Sequence, residues 1–280
     1  MSSRPFVQLD VFTALPYAGN PLAVVLDGSG LSESQMRRFA HWTHLSETTF
    51  LLPPTDPAAD YRVRIFTPDR ELPFAGHPTL GSCRAWLDAG GQPQAAEVVV
   101  QQCGAGLISI RRDGSRLAFA APPLARSGAA DEETLARIAA ALGITRSEIV
   151  AHQWVDNGPG WVAVLLASAA QVLALRPNGA LLADLKLGVA GPHPAGGECA
   201  FEVRAFINFG GSLSEDPVTG SLNAGLAQWL IGAGLAPPVY VAAQGAALGR
   251  AGRVHVRRDE KGSIWIGGDS VTCIEGRVNL

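Results

Sequence analysis

Short runs that alternate apolar and polar side chains dominate this chain, and stretches with helical spacing are few. Residues 7–13 alternate as a strand, and residues 21–26 read as another after a Gly19–Asn20 turn. Residues 62–67 form a further strand. Residues 97–102, 107–112 and 116–121 form a meander with Asp113-Gly114 as its turn signal. Helical spacing begins at Leu31, where Ser32 and Gln35 make a capping box and Leu31 and Met36 take the staple positions. That helix is expected to fade near His44, which leaves Glu47 just past it at the entrance to a strand over residues 48–52. A second helix is expected with Pro78 at its first position and Gly90 as its C-terminal cap. In the second half, Asp131 caps a helix ending at Gly143, Ser168 and Gln171 form another capping box, and Ser221 begins a helix. Strands follow at 239–243, 253–258 and 263–267.

The same pattern occurs twice. Residues 71–90 (ELPFAGHPTLGSCRAWLDAG) return as 215–234 (EDPVTGSLNAGLAQWLIGAG), with Glu71/Glu215, Pro73/Pro217, Gly76/Gly220, Gly81/Gly225, Ala89/Ala233 and Gly90/Gly234 identical. Upstream, Val63-Arg64-Ile65-Phe66 is echoed by Val203-Arg204-Ala205-Phe206; downstream, Ile110-Arg111-Arg112-Asp113 is echoed by Val256-Arg257-Arg258-Asp259. Three segments in one order, at nearly one spacing, indicate two copies of one unit. The expected domains are residues 1–122 and 123–280, with the final strand free to return to the first. With strands outnumbering helices and one central helix per half, the expected fold class is α+β. Each of two pseudo-symmetric domains would wrap a mainly antiparallel sheet around its helix. A cleft between the copies is the natural place for a small ligand.

Composition narrows the function. Of 280 residues 47% are apolar and 17% charged, enough for two cores, and the net charge of −3 offers no footprint for nucleic acid. Four cysteines at 83, 103, 199 and 273 have neither metal-ligand nor dense disulfide spacing. The most hydrophobic window, residues 161–175, is too short for a membrane span. A soluble, cytoplasmic protein is expected. The glycine segments match neither a dinucleotide fingerprint nor a P-loop, and the other histidines (41, 44, 152, 193 and 255) show no metal spacing.

Both repeated motifs share one grammar: Glu-x-Pro, a small residue, glycine, then a helix start. Unpaired amides and the positive end of the helix dipole suit such a start to a carboxylate, and two starts related by the duplication could converge on one anion. Glu47, beside Leu45, Phe50 and Leu51, is a candidate acid/base whose carboxyl burial would push up toward working pH. His77 can exchange a proton near neutrality, Asp216 can hold an amine or hydroxyl or orient His77, and Ser221 can cap its helix and donate to a carboxylate. Asn20 is either a turn residue or a ligand contact.

Asp10-Val11-Phe12, Gly19-Asn20-Pro21, Leu45-Ser46-Glu47-Thr48, Ala75-Gly76-His77-Pro78-Thr79, Glu215-Asp216-Pro217-Val218-Thr219-Gly220-Ser221, and Gln244-Gly245 with Arg250 together resemble the PhzF (phenazine biosynthesis) family of the diaminopimelate epimerase-like superfamily. The resemblance implies two pseudo-symmetric domains around a ligand cleft, a cofactor-independent proton-shifting isomerase, and a homodimer. It implies Glu47 as general acid/base, with His77, Asp216, Ser221, Gly76 and Gly220 binding a small unsaturated or enolisable carboxylate. Epimerases of the superfamily carry a cysteine before each motif glycine; here those positions hold Ala75 and Thr219, which disfavours two-thiol stereoinversion. The competing expectation is a non-catalytic binder of small ligands or partners on the same scaffold.

Overall fold

A computed structural model describes residues 2–209 and 212–280; Met1, where the first expected domain begins, lies outside them. In chain order the elements are β1 (Ser3–Val11), β2 (Asn20–Val25), α1 (Glu33–Thr43), β3 (Thr48–Leu52), β4 (Tyr61–Phe66), β5 (Glu71–Leu72), α2 (Gly76–Asp88), β6 (Val98–Cys103), β7 (Gly106–Asp113) and β8 (Arg116–Ala120). There follow α3 (Glu132–Leu142), β9 (Ala151–Trp154), β10 (Trp161–Leu165), α4 (Ala169–Ala174), α5 (Gly179–Leu182), β11 (Lys186–Pro192), β12 (Phe201–Phe209) and β13 (Ser212–Asp216). The last are α6 (Gly220–Gly232), β14 (Val239–Gln244), β15 (Gly252–Arg258), β16 (Ile264–Gly268) and β17 (Ser270–Asn279). Two compact units result, Met1–Ala120 with Gly267–Leu280 and Ala121–Ile266.

The first unit pairs β1 with β2 antiparallel, β2 with β3 parallel, β3 with β4 antiparallel, β4 with the short β5 antiparallel, β4 with β6 parallel, and β6 with β7 antiparallel. The second unit repeats that series with β9, β10, β11, β12, β13, β14 and β15. Each parallel pair needs a crossover, which helices supply: α1 and α2 in the first unit, α4 with α5 and then α6 in the second. The final strand, β17, lies antiparallel on β1 from Ser3↔Asn279 to Val11↔Ser270.

The repeated Glu-x-Pro glutamate has a structural task in both copies. Arg64 donates to Glu71 from Nε at 2.7 Å, and Arg204 donates to Glu215 from Nε at 2.9 Å. Each guanidinium also sits over the phenylalanine two residues on, at 5.1 Å from Phe66 and 4.8 Å from Phe206. Glu71 pairs across the hairpin with Phe66, and Glu215 with Phe206, so the two hairpins share one register. Arg204 further donates to the carbonyls of Val172 and Leu175, which close the end of α4.

The repeated glycine inside each central helix is explained by close packing. A Cβ on Gly81 would meet Leu22 at 2.5 Å and Val11 at 2.8 Å; one on Gly225 would meet the Val155 carbonyl oxygen at 2.3 Å. No side chain fits there, so α2 and α6 lie directly against their own sheets. Under α1, Met36, Phe39 and Ala40 at helical spacing bury onto Val25, Phe50 and Phe66.

Four local expectations need correction. Helix α2 starts at Gly76, so Pro78 is its third residue, where a missing N–H is equally harmless. Thr219 holds the position just before helix α6, which makes Ser221 the helix's second residue and not its cap. Asn20 opens β2, opposite Val11, fully buried, and is not a turn residue. At α4, Ser168 accepts from the Gln171 N–H, but Gln171 returns its oxygen to Ala167, one residue early for a capping box.

The two Arg–Glu pairs differ in exposure: 6% and 9% for Arg204 and Glu215, 19% and 33% for Arg64 and Glu71. Glu215→Gln should therefore destabilise by about 3–5 kcal/mol, because it strands a buried guanidinium. Glu71→Gln should cost about 1 kcal/mol or less. Urea unfolding of both variants checks the order; equal losses would contradict it.

Candidate active site

In the first unit three chain segments meet around His77. The first is the start of β2, held in place where the Gly19 N–H donates to Asp10 Oδ2 at 3.1 Å. The second is the turn between α1 and β3. His44 adopts a left-handed φ of 55° and ends α1. Thr43 donates its hydroxyl to the Ala40 carbonyl, so the proton in its 2.9 Å contact with Thr48 comes from Thr48. That bond closes the turn from both sides and presents Glu47 at the mouth of β3, its side chain 16% exposed. The third is the start of α2, where the cap residue Ala75 has no side chain to offer the first-turn amides.

His77, the second residue of α2, is buried, with Nδ1 at 3.5 Å from Glu47 Oε2. Burial holds its imidazole far below the ordinary value of 6.5, at about 3, against the opposing pull of a hydrogen bond with the Pro21 backbone. The contact with Glu47 is therefore not an ion pair at neutral pH. A neutral ring has one N–H and one bare nitrogen, so it can give a hydrogen bond to Glu47 or take one, according to which carries the proton. Nε2 is buried without a hydrogen-bond partner in the described structure.

The second unit builds its helix start differently. Thr219 donates its hydroxyl to Asp216 Oδ2 at 2.7 Å, so it does not cap α6. Gln244, buried on β14, ties the turn together. Its amide nitrogen donates to the Thr219 hydroxyl and the Asp216 carbonyl, at 2.9 and 3.0 Å. Its oxygen accepts from the Thr219 N–H and from Asn223 Nδ2, at 3.0 and 2.9 Å. Ser221, half-buried, accepts the indole N–H of Trp161 at 2.9 Å, and its carbonyl accepts from Asn157 Nδ2 at 2.9 Å.

Glu47, His77 and Gly76 thus gather in the first unit, with Asn20 opening the adjoining strand; Asp216, Gly220 and Ser221 gather in the second. Registers counted from the shared Arg–Glu hairpins set Glu47 against Lys186, and His77 against Ser221. The carboxylate of the first copy has no carboxylate counterpart in the second. Thiols are also missing from both helix starts. Cys83, deep in α2, has its thiol pushed up to about 12 by burial, which leaves it inert. Among the described residues no three His, Cys, Asp or Glu gather as a metal site. Sequence reasoning missed Trp161, which sat inside a plain hydrophobic window, and Asn157, which carried no motif.

A family model described as "Phenazine biosynthesis-like protein" (PhzC-PhzF) matches residues 9–276. Among curated proteins, "Antisense-enhancing sequence 1" of Schizosaccharomyces pombe is 35% identical over 297 residues, spanning 99% of both chains. "Trans-2,3-dihydro-3-hydroxyanthranilate isomerase" of Pseudomonas aeruginosa is 32% identical, spanning 98% of this chain and 99% of its own. The crystal structure of a PhzF-family phenazine biosynthesis protein from Bacillus anthracis superposes over the whole of both chains with a TM-score of 0.85 at 22% identity, a likeness of fold.

A buried neutral His77 links stability to pH. Its pKa is depressed in the folded state, so the unfolded chain binds the extra proton between about pH 6.5 and pH 3. The full contribution is present above that window and is lost as pH falls through it, by up to about 1.4 kcal/mol per pH unit. Unfolding curves from pH 7 to pH 4 should fall more steeply for the parent than for His77→Gln. Parallel curves would contradict the assignment.

Proposed function

Since the chain belongs to the phenazine biosynthesis-like (PhzC-PhzF) family, an isomerase family by the names its relatives carry, we propose that it shifts a proton on a small unsaturated or enolisable carboxylate, with Glu47 as general acid and base. The carboxylate of Glu47 takes a proton from a substrate carbon, and the C–H electron pair moves into the adjacent π-system. The same carboxyl then returns the proton to another carbon of that system. Atoms and electrons balance within substrate and side chain, so no cofactor enters the reaction. His77, neutral and with Nδ1 at 3.5 Å from Glu47 Oε2, stands against the carboxyl and is assigned to orient it. Asp216, Ser221 and Gly220 of the second unit, with Gly76 and Asn20 of the first, are assigned to substrate binding.

The observation that carries this reading is the presentation of Glu47: a carboxyl fixed by the Thr43–Thr48 bond, mostly sheltered from water, against a histidine that is neutral at working pH. Two further facts support one acid/base over two. Lys186 stands at the duplicated position, and Ala75 and Thr219 stand where a thiol pair would be needed.

The substrate named for the Pseudomonas aeruginosa relative, trans-2,3-dihydro-3-hydroxyanthranilate, is the first compound to assay, within a panel of dienyl and enolisable acids. With any acid turned over, Glu47→Gln should lower kcat at least ~100-fold, the low end for loss of a general acid/base. The circular dichroism spectrum should not change. Undiminished turnover would remove Glu47 from the mechanism. Ser221→Ala should raise KM several-fold with little change in kcat, and an unchanged KM would remove its assigned contact.

A further inference from the structure

We infer that Trp161 is a positioning residue that fixes the direction of the Ser221 hydroxyl. An indole N–H can only donate, and one buried as deeply as that of Trp161, 2% exposed, requires an acceptor. Its acceptor is Ser221 Oγ at 2.9 Å, sixty positions along the chain. A serine hydroxyl has one proton and two lone pairs. With a lone pair held by the indole, the O–H is directed away from Trp161, toward whatever acceptor meets the start of α6. Without that donor the hydroxyl would be free to rotate, and its proton would have no fixed direction. Trp161 therefore biases Ser221 toward donation, which suits a carboxylate and not an ammonium group.

Asn157 clamps the same residue from its backbone. The Ser221 carbonyl can only accept, so the Asn157 amide nitrogen faces it, which leaves Asn157 Oδ1 buried without a hydrogen-bond partner. Two donors are committed to one half-buried serine, and one of them orphans a buried acceptor in doing so. The first unit has no such arrangement. Its duplicated positions hold Leu22, which has no side-chain donor, and His77. The device belongs to the serine and not to the general construction of the fold.

This inference rests on Ser221 being a donor to substrate, so the test separates the two. Binding of anthranilate, a ring carboxylate, is measured by titration calorimetry for the parent, Ser221→Ala, Trp161→Phe and the double variant, with circular dichroism as the control for folding. Trp161→Phe should weaken binding about 3- to 10-fold, the loss of one hydrogen bond's worth of affinity. In the Ser221→Ala background it should weaken binding no further, an outcome that mere disturbance of packing would not produce. The indole N–H resonance of Trp161 should also move upfield in Ser221→Ala. Undiminished binding by Trp161→Phe, or an equal loss in both backgrounds, overturns the positioning role while Ser221→Ala alone still reports on the serine. Ser221→Ala binding as tightly as the parent, or a parent that does not bind anthranilate, removes the donor reading and the inference with it.

Discussion

Each unit is organised by a helix pressed directly against its sheet, with a start that no side chain caps. The contact depends on Gly81 and Gly225, where any Cβ would strike the strands or the loop behind. At Ala75 there is no capping atom, and at Thr219 the hydroxyl is diverted to Asp216. An uncapped first turn carries unsatisfied amides and the positive end of the helix dipole, a cost that a bound anion relieves. The reading as an enzyme of small carboxylates grows from this feature, since it explains what the scaffold offers before any acid or base is considered.

Upon that shared construction the copies have diverged in chemistry. The Arg–Glu hairpin and the helix glycine recur in both copies. The residues at the helix starts do not match: histidine against serine, alanine against threonine, with glutamate against lysine at the adjoining strand. In the proposed mechanism, divergence at those positions gives one unit the proton-transfer group and the other the hydrogen-bond donors to substrate. A symmetric acid–base pair would have needed matching groups on both sides.

What could be read from the sequence was what is local. The Ser32/Gln35 capping box, the end of α1 near His44 and the placement of Glu47 before Thr48 all follow from neighbouring residues, and the structure has them there. The internal repeat was equally legible, because duplication preserves spacing. Two helix starts were misread by one or two residues. Proline is as comfortable at the third helical position as at the first, and serine has the same capping chemistry as the threonine that took the place. The partners of Ser221 left no local trace, and although Arg64 and Arg204 stand in repeated segments, nothing local showed that they pair with the Glu-x-Pro glutamates. The Trp161–Ser221 bond spans sixty positions, and only the closing of the sheet around α6 brings its ends together. The final strand, expected to be free to return to the first domain, is β17, which pairs with β1.

The central claim, one side-chain carboxyl moving a proton on and off substrate carbon, is tested most directly by isotope exchange. The protein and a candidate acid are incubated in deuterated water, and label at substrate carbon is followed by NMR. The account predicts deuterium incorporation by the parent protein and none above background for Glu47→Gln. Incorporation or isomerisation that persists in the variant would contradict it.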